Sequence, residues 1–403
     1  MTWTSHPGEL AAIAPSVPVR FARTGETLLH LRQLGRATLT ELADTMGVAR
    51  STVGERVERL VHSGLVTTVD VPVLGRGRPA TTYVFDPSGG RILTAQVGMT
   101  GVRLGVSDLV GSLRAHRLVD VAISEGVDVI LTRIEQGCVD LMDGLGESRR
   151  PIDGIGVGLP GAVELQYVDV AHHAWQRNSI AGRLSATFDA ATFVDQDVNL
   201  LALGEHSLAP TEAGALLCLK VGSVIGCGTV IDGRIVAGAD GLAGEIGHTR
   251  VPGADDLCGC GNRGCLSAVA GGAAIVSRLR AAGFAVDHPR DVVRLVEQGT
   301  VEAISEVREA GRHIGAVLAA AVNLLNPRTI ALWGYLAGAE EVLVAGIRET
   351  LYREATPAAT RRLRLVTSEL GDITGLRGAA LMVAERILSP DSVDRRVART
   401  TTV

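Results

Sequence analysis

The chain has 403 residues, 46% of them hydrophobic, and a formal net charge of −5 at pH 7. That length allows two or more domains and a large core, while the mild acidity excludes a chain-wide nucleic-acid-binding surface and leaves room only for a small basic module. No apolar run reaches the roughly 18–20 residues needed to cross a bilayer, and the N-terminus lacks the charged-then-apolar order of a secretory signal, so the expectation is a cytoplasmic chain with no membrane partner and no persistent disulfides.

Residues 1–20, with Pro, Ser and His in no clear period, read as a loose tail. A small domain is expected over residues 21–86. "TGETLLHLRQLG" spaces Leu28, Leu31 and Leu34 as one helix face and stops at Gly35. "TLTELADTMG" predicts a second short helix, capped by Thr38 or Thr40, with Leu42, Ala43 and Met46 inward. "ARSTVGERVERLVHSG" predicts a third, whose Val53, Val57, Leu60 and Val61 share one face. Its opposite face carries Arg50, Ser51, Thr52, Glu55, Arg56 and Arg59. Two short helices joined by "MGVA", the second opening on small polar and Arg residues, fit a helix-turn-helix. Hydroxyls and helix-end amides suit phosphate oxygens, and Arg or Glu side chains reach base edges in the major groove.

Strands are predicted over Leu65–Val71 and Thr81–Phe85, with the basic loop "GRGRP" between them. Such a hairpin is a wing: Gly75 and Gly77 let the backbone lie close to DNA, and Arg76 and Arg78 suit a minor groove or phosphates. A helical domain with a solvated charged face would share the helices but not this tip. Residues 87–90, within "DPSGG", read as a linker.

From 91 to 390, short apolar strands alternate with Ala- and Leu-rich helices. Two glycine-turn hairpins, Thr94–Val106 and Leu216–Ile231, each open one half of this region. That pattern predicts a duplicated α/β fold of two lobes around a cleft. Residues 391–403 read as a second flexible tail.

Ordered along the second region are "VGMTGVRLGVSDLVG", "GVGLPGAVE", "DQDVNLLALGE", "GLAGEIGHTRV", "CGCGNRGCL" and "NLLNPRTIALWG". In these motifs the region from about Arg91 to Leu388 resembles the ROK family of sugar kinases and repressors. The resemblance implies a two-lobed actin/hexokinase-like, ribonuclease H-like duplicated α/β domain. A winged helix-turn-helix in front is what distinguishes that family's repressors from its kinases.

The cysteine-rich stretch first leaves metal, redox and disulfide chemistry open, and the reducing compartment disfavours the disulfide. His248 with Cys258, Cys260 and Cys265 makes one imidazole and three thiolates, a closed tetrahedral zinc set with no position left for an activated water. The resembling family binds zinc with this motif, so a structural Zn2+ is expected. Cys138, Cys218 and Cys227 fall in strand or helix patterns and read as buried apolar residues.

The resemblance also implies a catalytic base at Asp197 in "DQDVN". At three matching positions the ATP side departs from the kinases: Gln96 replaces an acidic metal-holding residue, Gly222-Ser223-Val224 replaces Gly-Thr-Gly, and Gly334-Tyr335 replaces Gly-Gly. A β-branched residue resists the backbone angles glycine uses there and crowds a phosphate. Asp197 is therefore expected to be a vestige, and the protein not an enzyme. On the sugar side, Gln196, Asp197, Asn199, Glu245, His248 and Ser267 are the candidate effector-binding positions. Gln196 stands where the family usually has Asn, Ser267 where it has Glu, and His172 and His173 where a Pro-Asn pair is common. The expectation is a DNA-binding transcriptional regulator of repressor type, responding to a carbohydrate or carbohydrate-derived effector. A homodimer or homotetramer would bind a two-fold symmetric double-stranded operator. Two rivals stand beside it: a bifunctional sugar kinase, favoured by Asp197, and an effector-independent regulator with a vestigial sugar site, favoured by Gln196 and Ser267.

Overall fold

The computed structural model describes residues 23–69, 81–148, 150–161, 177–208 and 214–400. Two compact units are present: one holds the residues up to Gly89 together with those from Glu385 onward, the other Gly90–Ala384.

In the first unit, α1 (Thr24–Leu34), β1 (Arg36–Thr38), α2 (Leu39–Met46), α3 (Arg50–His62), β2 (Val66–Val69) and β3 (Thr82–Phe85) follow in chain order. Thr38 starts α2 because the Glu41 amide donates to its hydroxyl while Glu41 Oε2 accepts from the Thr38 amide at 2.7 Å, a reciprocal capping box. Leu28, Leu31, Leu42, Val53, Val57 and Leu60 are buried, and burying each such side chain contributes about 1.5–3 kcal/mol. Two expectations fail here: Leu34 and Val61 are 46% and 40% exposed. Both sit at the last turn of their helices, where the core no longer covers them. β1 was not foreseen; it pairs antiparallel with β3, which pairs antiparallel with β2. The expected wing tip, Arg76 and Arg78 included, lies outside the described residues, as do residues 1–20.

The expected tail from 391 is instead a helix, α14 (Pro390–Thr400), which belongs to this first unit. Val393 and Val397 are buried four residues apart, giving the helix an apolar stripe. Asp394 accepts hydrogen bonds from the backbone amides of Arg23 and Gly25 at 2.9 and 2.8 Å, and Arg396 donates to the Gly89 carbonyl at 2.8 Å. α1 lacks a side-chain cap of its own, and its N-cap residue Arg23 has φ 67°. Asp394 supplies the missing acceptors for the first-turn amides.

The second unit runs β4 (Ile92–Val97), β5 (Gly101–Ser107), β6 (Leu113–Asp120), α4 (Val127–Gly144), β7 (Gly154–Leu159), α5 (Arg177–Phe188), β8 (Thr192–Gln196), α6 (Asp197–His206), β9 (Ala215–Val221), β10 (Ile225–Ile231), β11 (Arg234–Ile235), α7 (Leu266–Ala270), α8 (Gly272–Ala281), α9 (Pro289–Glu297), α10 (Val301–Leu325), β12 (Thr329–Trp333), α11 (Glu340–Glu354), α12 (Pro357–Thr360), β13 (Arg364–Thr367) and α13 (Thr374–Ile387). Among the described residues, its strands form a sheet β6-β5-β4-β7-β8 and a sheet β11-β10-β9-β12-β13. In each, the hairpin strands are antiparallel and two later strands add in parallel beyond the first. The two sheets thus repeat one plan, the duplicated, two-lobed α/β architecture expected from the paired glycine-turn hairpins. Buried Leu93, Val102, Leu104 and Val157 form the core of one lobe; Leu219, Leu266, Ile314 and Leu318 form that of the other. Among the described residues no helix is long and apolar enough to cross a membrane.

Candidate effector cleft and metal centre

The four cysteine-motif positions come together. His248 ends a short 3-10 turn, Ile246–His248, and Cys265 caps α7. Between them the chain doubles back: Val251 donates to the Gly264 carbonyl at 2.7 Å, Cys258 to that of Asn262 at 2.8 Å, and Gly261 to that of Cys258 at 2.9 Å. Gly261 and Gly264, at φ 89° and 73°, supply the left-handed turns that close this knuckle. His248 Nδ1 lies 3.5 Å from Cys258 Sγ, Cys260 Sγ lies 3.6 Å from Cys265 Sγ, and all four ligand atoms fall within 4.8 Å of one another. Around a tetrahedral zinc the S–S and S–N edges are about 3.8 and 3.5 Å, so this cage could hold a metal ion. Burial holds the His248 imidazole below its ordinary pKa, keeping the neutral form that ligates metals. Burial, reinforced by the neighbouring thiols, pushes Cys265 up to about 12; a bound cation reverses that sense, because it deprotonates a coordinating thiol.

The other ring nitrogen of His248, Nε2, faces Glu245 Oε2 at 3.9 Å. At that distance the pair is an electrostatic contact beyond hydrogen-bond reach, and Nδ1 is the ring nitrogen left on the cysteine side. Glu245 in turn lies against the β7 loop: a Cβ added to Gly161 would stand 2.9 Å from Glu245 Oε1. Asp197 lies against β7 itself, at Gly158, where an added Cβ would stand 3.4 Å from its Cα.

Asp197 is not open to the cleft as a lone carboxylate. Lys220, from β9, places Nζ 2.8 Å from Asp197 Oδ2, with both side chains at least nine-tenths buried. Sequence reasoning missed this lysine, although a single charge inside the apolar run "ALLCLKV" was a visible signal. Asn199, also buried, donates from Nδ2 to Asp195 Oδ1 at 2.9 Å. Ser267 Oγ accepts from the Ile225 amide at 3.0 Å and donates to the Ile225 carbonyl at 3.3 Å, tying α7 to β10. Gln196 is buried, and its Nε2 has no hydrogen-bond partner among the described residues. His172 and His173 lie outside the described residues.

Two strands from Gln196 in the same sheet, Gln96 of β4 packs against Gly375, where an added Cβ would stand 2.3 Å from its Oε1. The Gly222 amide bonds the Val224 carbonyl at 3.1 Å, and Val224 is not among the residues with positive φ. Tyr335 stands 3.4 Å, hydroxyl to hydroxyl, from Thr100 in the β4–β5 turn. Arg103 lies over the Trp333 ring, 5.5 Å from its centroid, and pairs with Asp372 at 2.6 Å. In the first unit, the candidate DNA residues fall on one stretch of α3: Arg50, Ser51 and Glu55 are exposed, and Thr52 and Arg56 are half-buried.

A sequence profile described as the ROK family matches residues 93–386. Over 399 residues the chain is 27% identical to the DNA-binding transcriptional dual regulator NagC of Escherichia coli K12, covering 93% of this chain and 96% of that one. It is 25% identical over 386 residues to a putative xylose repressor of Caldicellulosiruptor sp. strain Rt8B.4, covering 91% and 96% of the two. Its fold is that of a crystallised ROK family transcriptional regulator, a homolog of the E. coli MLC protein, at a TM-score of 0.76, 22% identity and coverage of 94% of this chain and 99% of that one.

Proposed function

The chain belongs to the ROK family, and on that premise we propose that it is a carbohydrate-responsive transcriptional regulator of repressor type and not a kinase. The observation that carries this is the separate unit ahead of the family's own segment, whose α3 turns Arg50, Ser51 and Glu55 to solvent. Read as a winged helix-turn-helix, that unit lays α3 in the major groove, with Arg50, Ser51, Thr52, Glu55 and Arg56 toward phosphates and base edges, while Arg76 and Arg78 on the wing reach the adjoining minor groove. The relatives named NagC and xylose repressor favour the same role. A homodimer or homotetramer acting in the cytoplasm would present two such heads to a two-fold operator.

The cleft supports a sensor. Glu245 and His248, with Asp197, Asn199, Gln196 and Ser267 around them, offer the directed acceptors and donors that sugar hydroxyls need. His248, Cys258, Cys260 and Cys265 would hold a structural zinc, whose contribution is to fix the loop carrying Glu245. Phosphoryl transfer needs a free base and a phosphate cradle. Here Asp197 is held by Lys220, Val224 sits in the second phosphate turn, Gln96 lacks the charge to hold magnesium, and Tyr335 fills the place of a glycine. An effector alters DNA affinity only by binding one arrangement of the protein better than the other.

The test joins calorimetry with a panel of uncharged mono- and oligosaccharides to operator gel shifts. One sugar should bind and weaken the DNA complex, and Glu245→Ala should abolish that response while leaving DNA binding intact. An unchanged sugar response in Glu245→Ala removes the pocket assignment, and ATP-dependent sugar phosphorylation removes the non-enzyme assignment.

A further inference from the structure

α6 and α13 meet at the joint between the two lobes. α6 lies on the second sheet, where a Cβ added to Gly228 of β10 would overlap the Val198 carbonyl oxygen. α13 lies on the first, where a Cβ added to Gly156 of β7 would stand 2.7 Å from the Ala379 carbonyl oxygen. The two helices also touch backbone to backbone. A Cβ added to Gly204 of α6 would overlap the Thr374 carbonyl oxygen, and one added to Gly378 of α13 would overlap that of Leu200. Glu205, in the last turn of α6 and only 6% exposed, sits at this joint.

No cation pairs with Glu205 among the described residues. Its Oε1 meets two hydroxyls instead: that of Ser368, just after β13, and that of Thr374, the first residue of α13, the latter at 3.3 Å. Ser368 Oγ and Thr374 Oγ1 are 2.9 Å apart, and Thr374 Oγ1 is 2.8 Å from the Gly371 carbonyl oxygen. Three close oxygen–oxygen contacts therefore follow in a row, from Glu205 to Ser368 to Thr374 to Gly371. The two hydroxyls bring two protons, so an ionised Glu205 leaves one contact as lone pair against lone pair. With a carboxylic acid the row closes: Glu205 donates to Ser368, Ser368 to Thr374, and Thr374 to Gly371. Ser368 Oγ also accepts from the Gly371 amide at 3.2 Å, and the Gly371 carbonyl from Trp333 Nε1 at 2.6 Å. Burial raises Glu205 above the ordinary carboxylate range, the two hydroxyls oppose this, and Glu369 adds to the rise. His206 of its own helix, Arg328, Arg364 and Glu369 line the adjoining cavity of about 200 Å³. Cys218 of β9 also faces it, a thiol that burial keeps neutral, while Arg377 of α13 donates to Ser207 Oγ at 2.6 Å.

We propose that Glu205 is a proton-operated latch: as a neutral acid it locks α6 to α13, and its ionisation as the pH rises unlocks the joint between the lobes. Asp197 and Asn199 lie in the first turn of α6, so the latch at the far end of that helix bears on how the cleft is held. It does not depend on what the cleft binds, and no sugar enters its test. An acid whose pKa rises on folding holds its proton more tightly in the folded chain. The latch is therefore strongest at low pH and weakens as the pH climbs from the ordinary glutamate value of about 4.3.

The test uses the full-length protein with isotope-labelled glutamate, beside Glu205→Gln, whose amide is neutral at every pH and donates to Ser368 as the acid does. Carboxyl-carbon NMR of the wild type should show one glutamate titrating above the rest, and that signal should vanish in the variant. Amide exchange reads the joint itself. Protection in the first turn of α13, with the intrinsic pH dependence divided out, should fall about tenfold per pH unit above about 4.3 until that carboxyl has titrated. It should stay level in Glu205→Gln. The wild-type measurements alone decide the matter should the variant not fold. Level protection in the wild type, the same pH dependence in both proteins, or no glutamate titrating above the ordinary range would overturn the latch.

Discussion

Asp394→Ala should loosen the start of α1 without touching any residue of the third helix. The wild-type carboxylate accepts from the amides of Arg23 and Gly25 at 2.9 and 2.8 Å, and Asp394 is only 8% exposed. Hydrogen bonds to a charged acceptor contribute about 1.5–3 kcal/mol, and loss of a helix N-cap costs about 0.5–2 kcal/mol. The two amides share one carboxylate, so their losses overlap, and a local cost of about 2–3 kcal/mol follows. Because a protein of two units need not unfold in one step, the assay is amide hydrogen exchange rather than a single melting curve. Exchange at Arg23, Gly25 and the first turn of α1 should quicken about 30- to 150-fold. Asp394→Asn retains one oxygen acceptor and should fall between. Operator affinity should drop in the same order. Unchanged exchange at both amides in Asp394→Ala would refute the assignment of α14 as the cap of α1.

Metal analysis of carefully dialysed protein should find about one zinc per chain, and Cys260→Ser should lose the metal and lower the melting temperature; a metal-free wild-type protein with the same stability would contradict the cage. Arg56→Ala should weaken operator binding, and if the lost contact is to phosphate, the salt dependence of log K should flatten by about 0.9; an unaltered gel shift would displace α3 from the groove. Lys220→Met leaves a buried carboxylate without its ion-pair partner, which should destabilise the large unit by about 3–5 kcal/mol, read by urea denaturation. Little change in stability would mean the ion pair is not formed in solution.

What the sequence disclosed depended on how local each signal was. The hairpins of both lobes were legible because each is a short apolar alternation around glycines, and the observed β9 and β10, Ala215–Val221 and Ile225–Ile231, lie within a residue of expectation. The His–Cys cluster was legible because three of its four residues fall within eight positions and thiols have few other uses at that density. α14 was not legible: its sequence "PDSVDRRVART" is charged and short, and only contact with α1 makes its apolar stripe meaningful. β1 is three residues long and exists through its pairing with β3. The pairing of Lys220 with Asp197 was hidden, since the two lie 23 positions apart on different elements, although the lone charge in the β9 run marked Lys220 itself. Ser267 stood out in sequence as a departure, and the structure gives it a local task, bonding both the amide and the carbonyl of Ile225.

The contact between α14 and α1 also sets an order of events during synthesis. Asp394 and Arg23 are separated by 371 positions, so the first helix leaves the ribosome on the order of tens of seconds before its cap does. Through that interval the large unit can fold around its own sheets while α1 waits with bare amides. A nascent chain therefore carries the third helix before it carries the carboxylate that clamps the start of α1. If α3 is the DNA-reading helix proposed above, the scaffold that holds it is completed only once Asp394 and its helix have been made.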